Sequence, residues 1–141
     1  MWDPATGSPI TQFFRHDSGV TGVELSANGR MLASISGERD VLRFWDVRTG
    51  TSIGGRIDLP EPVWWTFAIM EGDALCVTAS PEEDVVHVRV WEIGTGKQVS
   101  SFDAPNIGGL YPVLEDGGKM LVTAPTRSAV AAHDTISGLE T

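Results

Sequence analysis

The sequence predicts an all-β fold of repeated four-stranded antiparallel units, and three observations carry that prediction. One short phrase returns four times: Trp2-Asp3 with Thr6-Gly7, Trp45-Asp46 with Thr49-Gly50, Trp91-Glu92 with Thr95-Gly96, and His133-Asp134 with Ser137-Gly138. The glycine always stands five residues after the aromatic position, and the copies begin at 2, 45, 91 and 133, intervals of 43, 46 and 42 residues. The segments between copies are short β-like runs broken by turn sequences, with no helical periodicity over about ten residues. A period in this range marks one repeated supersecondary unit and points to propeller blades.

Each element follows in order. Residues 1–14 read as the tail of a third strand (Trp2-Asp3) and a fourth strand, Ser8 to Phe14, of a preceding blade. Blade one, residues 15–58, has runs Val20 to Leu25, Met31 to Ser36, Val41 to Trp45 and Thr51 to Ile57. Asn28-Gly29 between the first two tolerates positive φ at both central positions, so a type I′ hairpin turn is expected there. Blade two, residues 59–103, repeats the order with Val63 to Met70, Ala74 to Ser80, Val85 to Trp91 and Gln98 to Phe102, its first turn at Glu71-Gly72-Asp73. An incomplete blade three, residues 104–141, has Leu110 to Leu114, Met120 to Ala124 and Ala129 to His133, and stops after its third strand. Runs such as Val63-Trp64-Trp65 and Val85-Val86 lack strict polar alternation, as expected for sheets covered on both faces.

The composition is that of an ordinary soluble domain. The 141 residues are 41% hydrophobic and 21% charged, with a mean hydropathy of −0.02, unlike a disordered chain. No apolar run approaches the length of a membrane span, and Met1-Trp2-Asp3-Pro4 lacks the basic and apolar segments of a secretion signal. A cytoplasmic location with no membrane partner is expected, and the single cysteine, Cys76, agrees with a reducing compartment. A net charge of −9, with ten dispersed basic residues, argues against a nucleic-acid partner.

These residues resemble the WD40 family of β-propellers. Arg15-His16 stands where that family has Gly-His, Leu25-Ser26-Ala27-Asn28-Gly29 matches its Ser-Pro-Asp-Gly-like turn, and Phe44-Trp45-Asp46 matches its Trp-Asp ending. The resemblance implies a buried network of His, a second-strand Ser or Thr, a turn Asp and the Trp. Carried over, it uses His16, Ser34 or Ser36, and Trp45 in blade one, where Glu38 and Asp40 offer an acid, neither at the usual spacing. In blade two it uses Thr78 or Ser80, Asp84 and Trp91, with no histidine in Asp58-Leu59-Pro60-Glu61-Pro62. In blade three His133 replaces the Trp, Thr123 is the hydroxyl, and Pro105-Asn106 occupies the His region. Propellers have about four to eight blades, so the chain is read as a piece of a larger propeller, the alternative being copies that assemble to complete one.

No constellation for catalysis emerges. His16, His87 and His133 stand at no metal-ligand spacing, Glu82-Glu83-Asp84 lacks a calcium-loop pattern, and Gly54-Gly55 and Gly108-Gly109 lack a phosphate-loop context. The expectation is a non-enzyme without cofactor or metal, a scaffold for a protein or peptide partner. The resemblance places partner contacts on the loops joining fourth to first and second to third strands: Arg15, Asp17, Glu38, Arg39, Glu61, Trp64, Glu82, Glu83 and Asn106. For Trp64-Trp65, packing is the default reading, since adjacent rings point to opposite sheet faces. The alternative function is a fragment of a quinoprotein propeller dependent on pyrroloquinoline quinone, because Ala132-His133-Asp134-Thr135-Ile136-Ser137-Gly138 also resembles that family's Ala-x-Asp-x-x-x-Gly repeat.

Overall fold

The computed structural model describes residues 2–9, 14–37, 40–63, 66–70, 72–107, 112–126 and 128–141. Among these, β1 (Val20–Leu25), β2 (Met31–Ser36), β3 (Val41–Asp46) and β4 (Ser52–Asp58) form one sheet in chain order. The strands β5 (Phe67–Ile69), β6 (Leu75–Glu82), β7 (Val85–Glu92) and β8 (Gln98–Pro105) form a second, and β9 (Val113–Glu115), β10 (Met120–Thr126) and β11 (Ala129–Asp134) a third. Every pairing between them is antiparallel, so each sheet is a meander of the expected blade type. The expected first strands of blades two and three are shortened to three described residues each, and of the expected strand Ser8 to Phe14 the structure pairs Pro9, which bridges Trp2. Residues 10–13 lie outside the described residues.

The repeated phrase is a hairpin device, and all four copies build it alike. Each aromatic position pairs with the residue seven places on: Trp2 with Pro9, Trp45 with Ser52, Trp91 with Gln98 and His133 with Glu140. In each, the acid's carbonyl accepts the glycine's N–H at 2.7–2.8 Å, and that glycine has a φ of 67–72°. The left-handed region is open to glycine without a Cβ penalty, which is why glycine closes each copy. Side chains complete the turn: Asp46 Oδ1 accepts the Thr49 N–H at 2.8 Å, Asp134 Oδ1 that of Ser137 at 2.7 Å, and Asp3 Oδ1 that of Ala5 at 2.8 Å. These backbone donors hold the Asp3, Asp46 and Asp134 carboxyls below the usual carboxylate range. In the third sheet, which has three strands, the same bridge joins His133 to Glu140 beyond them.

The turn at Asn28-Gly29 is not type I′. Gly29 has a φ of 71° but Asn28 does not share the left-handed region, and the Gly29 N–H donates to the Ser26 carbonyl at 2.8 Å, making Ala27 and Asn28 the central pair. Asn28 Oδ1 prefers this arrangement because it accepts from both the Arg30 N–H and the Ser26 hydroxyl, each at 2.9 Å.

Side chains alternate between blade faces with period two, and the apolar cores lie between blades. Met31, Ala33, Ile35, Leu42 and Phe44 of blade one pack with Phe67, Ile69, Cys76, Trp91 and Ile93 of blade two. The opposite face of blade two, with Val77, Ala79, Val86, Val88 and Val90, packs with Leu121 and Leu114 of blade three. A bulge in β4 brings blade one's outer strand against blade two. At Gly54, with a φ of 66°, a Cβ would stand 2.5 Å from the Ile93 carbonyl oxygen.

Candidate functional site

The site is built on one pair of side chains repeated three times. On the blade face that looks back along the chain, the ring nitrogen at the end of the third strand meets a hydroxyl on the second. Trp45 Nε1 donates to Ser34 Oγ at 2.7 Å, Trp91 Nε1 donates to Thr78 Oγ1 at 3.0 Å, and His133 Nε2 lies 3.2 Å from Thr123 Oγ1. In the strand register the hydroxyl residues face Arg43, Arg89 and Ala131, two residues before each ring, so the three pairs are the same diagonal on the pleat. His133 thus performs the structural part of the tryptophan it replaces.

Blade one extends the pair to a triad. His16 Nε2 lies 2.5 Å from Ser34 Oγ, and its ring meets Trp45 edge-on with centroids 5.5 Å apart. Burial lowers the pKa of His16, and the charge of Arg43 lowers it further. His16 Nδ1 is buried without a partner among the described residues. That orphan atom is the physical counterpart of the missing acid. Asp40 is exposed with its carboxylate over Gly37, and Glu38 lies outside the described residues. Of the open alternatives, Ser34 and Thr78 are the hydroxyls used. Ser36 and Ser80, two residues further on, are buried but bond to neither ring.

Asp84 is a correction. Its side chain is exposed and takes no part in the Trp91 pair, but its carbonyl accepts the Asn106 N–H at 2.7 Å, as the Asp40 carbonyl accepts that of Leu59. Asn106 is the second correction. The expected contact residue is buried, and its Oδ1 accepts the Ala124 N–H at 3.3 Å, tying the entry of blade three to its second strand.

The remaining expected contact residues that the structure describes lie at the end of the blades opposite the repeated phrase. Arg15, Asp17, Glu82 and Glu83 are exposed there and Glu61 is half-buried, whereas Glu38, Arg39 and Trp64 lie outside the described residues. The loops are tied to the third strands by two arginines that the sequence reading did not single out. Arg43 Nη2 donates to Asp17 Oδ2 at 2.8 Å, and Arg89 grips both carboxylate oxygens of Glu61, its Nε at 2.8 Å. The Arg89 fork holds the Glu61 carboxyl below the usual range. Both stand two residues before a tryptophan, so Arg43-Phe44-Trp45 and Arg89-Val90-Trp91 carried the signal. Beside them His87 is clasped by Asp103 at 2.8 Å and Glu82 at 3.2 Å, and the hydrogen bond to Asp103 leads the causes that raise its pKa.

No family model matches the chain. Eukaryotic translation initiation factor 3 subunit I of Neurospora crassa is 24% identical over 106 residues, which is 75% of this chain and 29% of that protein. Among solved structures, the Swd1 β-propeller domain of Myceliophteria thermophila superposes with a TM-score of 0.70 at 17% identity, over 99% of this chain and 45% of that one. The WD40 repeats of RRP9 give 0.64 at 12% identity, over 91% and 39%, and BamB of Moraxella catarrhalis gives 0.70 at 15% identity, over 96% and 40%. The chain therefore has the fold of WD40-type propeller blades and spans well under half the length of these similar proteins.

Proposed function

We propose that the chain is a non-catalytic scaffold, a section of a larger propeller in the cytoplasm, that presents its loop rim to a protein or peptide partner. The observation that carries this reading is the pairing of rim loops to third strands through Arg43–Asp17 and Arg89–Glu61. Loops anchored to sheets are pre-ordered, and a pre-ordered surface loses less entropy on binding. The groups with catalytic potential support the same reading, because they are already engaged. His16 and His133 serve the blade pairs, His87 is held between two carboxylates, and Cys76 is buried with its thiol pKa pushed up by burial. The similarity to WD40 propellers points the same way, although fold alone assigns no partner.

The test is selection of peptides from a random displayed library against the purified chain. Selected peptides are expected to lose binding to the Glu82→Lys, Glu83→Lys double variant and to keep it for Glu92→Lys at the opposite end. Loss only with Glu92→Lys would refute the rim. The quinoprotein alternative is separated by adding pyrroloquinoline quinone with Ca²⁺, where a thermal shift or dye reduction would overturn the scaffold reading.

A further inference from the structure

His87 stands between two carboxylates in blade two, the blade that packs on blade one with one face and on blade three with the other. Its Nδ1 lies 2.8 Å from Asp103 Oδ1 of β8, and its Nε2 lies 3.2 Å from Glu82 Oε2 at the end of β6. An ionised carboxylate only accepts, so both contacts are hydrogen bonds only when both ring nitrogens carry protons. A neutral imidazole keeps one N–H, and its other nitrogen then turns a lone pair on the second carboxylate. The nearer Asp103 keeps the N–H. Glu82 is the partner lost, its side chain 71% exposed and able to swing into water. The other charged groups around the ring offer it no substitute. Arg89, two residues along β7 on the same face, is engaged by Glu61 and Gln98. Glu61, on the connection from β4 to β5, acts on the ring with the same sign as Asp103 and Glu82, and Glu83 and Asp84 in the β6–β7 turn are exposed acids.

The Glu82 contact matters because of the turn it closes. Glu82 pairs with Val85, so Glu83 and Asp84 form a two-residue turn, and Glu83 is held at a φ of 50°. That conformation costs any residue with a Cβ and persists where its neighbours hold it. Among the described residues, two ties beyond the strand pairing hold this turn. One is the Glu82 carboxylate on His87; the other is the Asp84 carbonyl, which accepts the Asn106 N–H at 2.7 Å at the entry to blade three. We infer that His87 is a proton-operated latch on the loop rim: charged, it ties the β6–β7 turn to β8, and neutral, it releases Glu82 and loosens the turn. The hydrogen bond to Asp103 leads the causes that set release above the ordinary histidine value of 6.5. For binding, the inference rests on the rim as the partner surface, where release makes the Glu82 carboxylate available to a basic group of the partner.

Amide hydrogen exchange followed by nuclear magnetic resonance reads the latch in the chain itself. Between about pH 5.5 and about pH 8.5, across which histidine changes charge, the protection factors of the Glu83, Asp84 and Val85 amides are expected to fall about two- to fivefold. Glu82→Gln is expected to keep them constant, because a side-chain amide accepts from a charged His87 and donates to a neutral one. Asp103→Asn is expected to move the wild-type transition to lower pH. Protection that ignores the charge of His87, or that falls equally in Glu82→Gln, would overturn the inference. Binding is read with peptides that lack histidine, selected from the displayed library at about pH 8.5 and dependent on Glu82. These should bind the wild type about two- to fivefold more weakly at about pH 5.5, and His87→Gln equally at both. Equal wild-type affinity at both would overturn the gating. A chain that selects no peptide would refute the rim instead, the latch still being decided by the amides.

Discussion

Replacing Ser34 by Ala separates a blade held by a triad from blades held by a pair. The hydroxyl of Ser34 is the shared partner of Trp45 Nε1 at 2.7 Å and His16 Nε2 at 2.5 Å; Ser34 and Trp45 are buried, His16 is half-buried, and the Phe14 ring packs on that of Trp45. Its loss leaves the indole N–H unpaired and leaves His16 with neither ring nitrogen bonded, because Nδ1 already lacks a partner among the described residues. Each unsatisfied buried group costs about 1–3 kcal/mol, so Ser34→Ala is expected to destabilise by about 2–4 kcal/mol. Thr78→Val and Thr123→Val each remove one bond, at 3.0 and 3.2 Å, with a change that conserves volume. About 1–2 kcal/mol is expected for each. With urea m-values of about 1–3 kcal/mol/M, the midpoint should fall by roughly 1–2 M for Ser34→Ala and by under about 1 M for the threonine variants. In a Trp45→Phe background, which has no indole donor to strand, the Ser34→Ala cost should shrink by about 1–2 kcal/mol. Equal losses for the three variants, or an unchanged cost in the Trp45→Phe background, would refute the reasoning.

Other expectations follow from particular contacts. Gly54→Ala meets both a left-handed φ and the Ile93 carbonyl and should cost at least about 2 kcal/mol, whereas Gly55→Ala, with open space around its Cβ, should change stability by less than about 0.5 kcal/mol in the same urea titration. Glu83 occupies φ 50° in a two-residue hairpin loop, so Glu83→Gly should raise the midpoint by about 0.5–1 kcal/mol equivalent. His87, raised above its ordinary 6.5 by Asp103 first and by Glu82 and Glu61, contributes stability that is complete below 6.5 and lost as pH rises through its folded value. Urea midpoints on the two sides of that window should differ in the wild type and converge in His87→Gln; the opposite slope would contradict the clasp. Glu61 has the reverse sign, because its pKa is lowered by Arg89. Its contribution is present above the ordinary carboxylate value, fades as pH falls through the folded one, and should disappear in Glu61→Gln at a cost of about 1 kcal/mol.

What the sequence made legible was whatever a local turn or a diagonal pair demands of residue type. The phrase from Trp45 to Gly50 could be read because its acid, hydroxyl and glycine each satisfy a backbone requirement within six residues. The WD40 resemblance offered Trp45 with Ser34 or Ser36 and Trp91 with Thr78 or Ser80, and the choice within each pair came only from the hydrogen bonds, which use Ser34 and Thr78. Asp84 and Asn106 were misassigned for a related reason. Sequence position placed both in loops, but burial of the Asn106 amide and exposure of the Asp84 carboxylate depend on how blade two hands the chain to blade three. The open-ended His16 Nδ1 was foreshadowed by the absent acid. Asn28 misled because Asn-Gly also suits a longer loop when the amide oxygen is occupied by Arg30 and Ser26.

The turns of the repeated phrase and the loop rim lie at opposite ends of the blades, and that separation explains why fold and partner are so unequally visible. A four-stranded meander puts the turns after the first and third strands at one end, where Asn28 Nδ2 reaches Asp73 Oδ2 at 2.5 Å across neighbouring blades. Every blade must make those turns, so their residues recur. The other end carries the chain from blade to blade, and among the described residues one backbone bond recurs there, Leu59 to Asp40 and Asn106 to Asp84. Beyond that bond the connections are free to differ: Arg43 and Arg89 anchor the loops of blades one and two, whereas Ala131 stands in the equivalent place in blade three. Introducing Arg at position 131 with an acid at position 107 tests whether that anchor can be transplanted. Ile107 is exposed, next to the buried Asn106, and Ala131 faces Thr123, so Ile107→Glu with Ala131→Arg should couple favourably by about 0.5–1 kcal/mol in a double-mutant cycle. A coupling of zero or of the opposite sign would mean that the Glu61–Arg89 geometry belongs to blade two alone, and that the rim is assembled loop by loop.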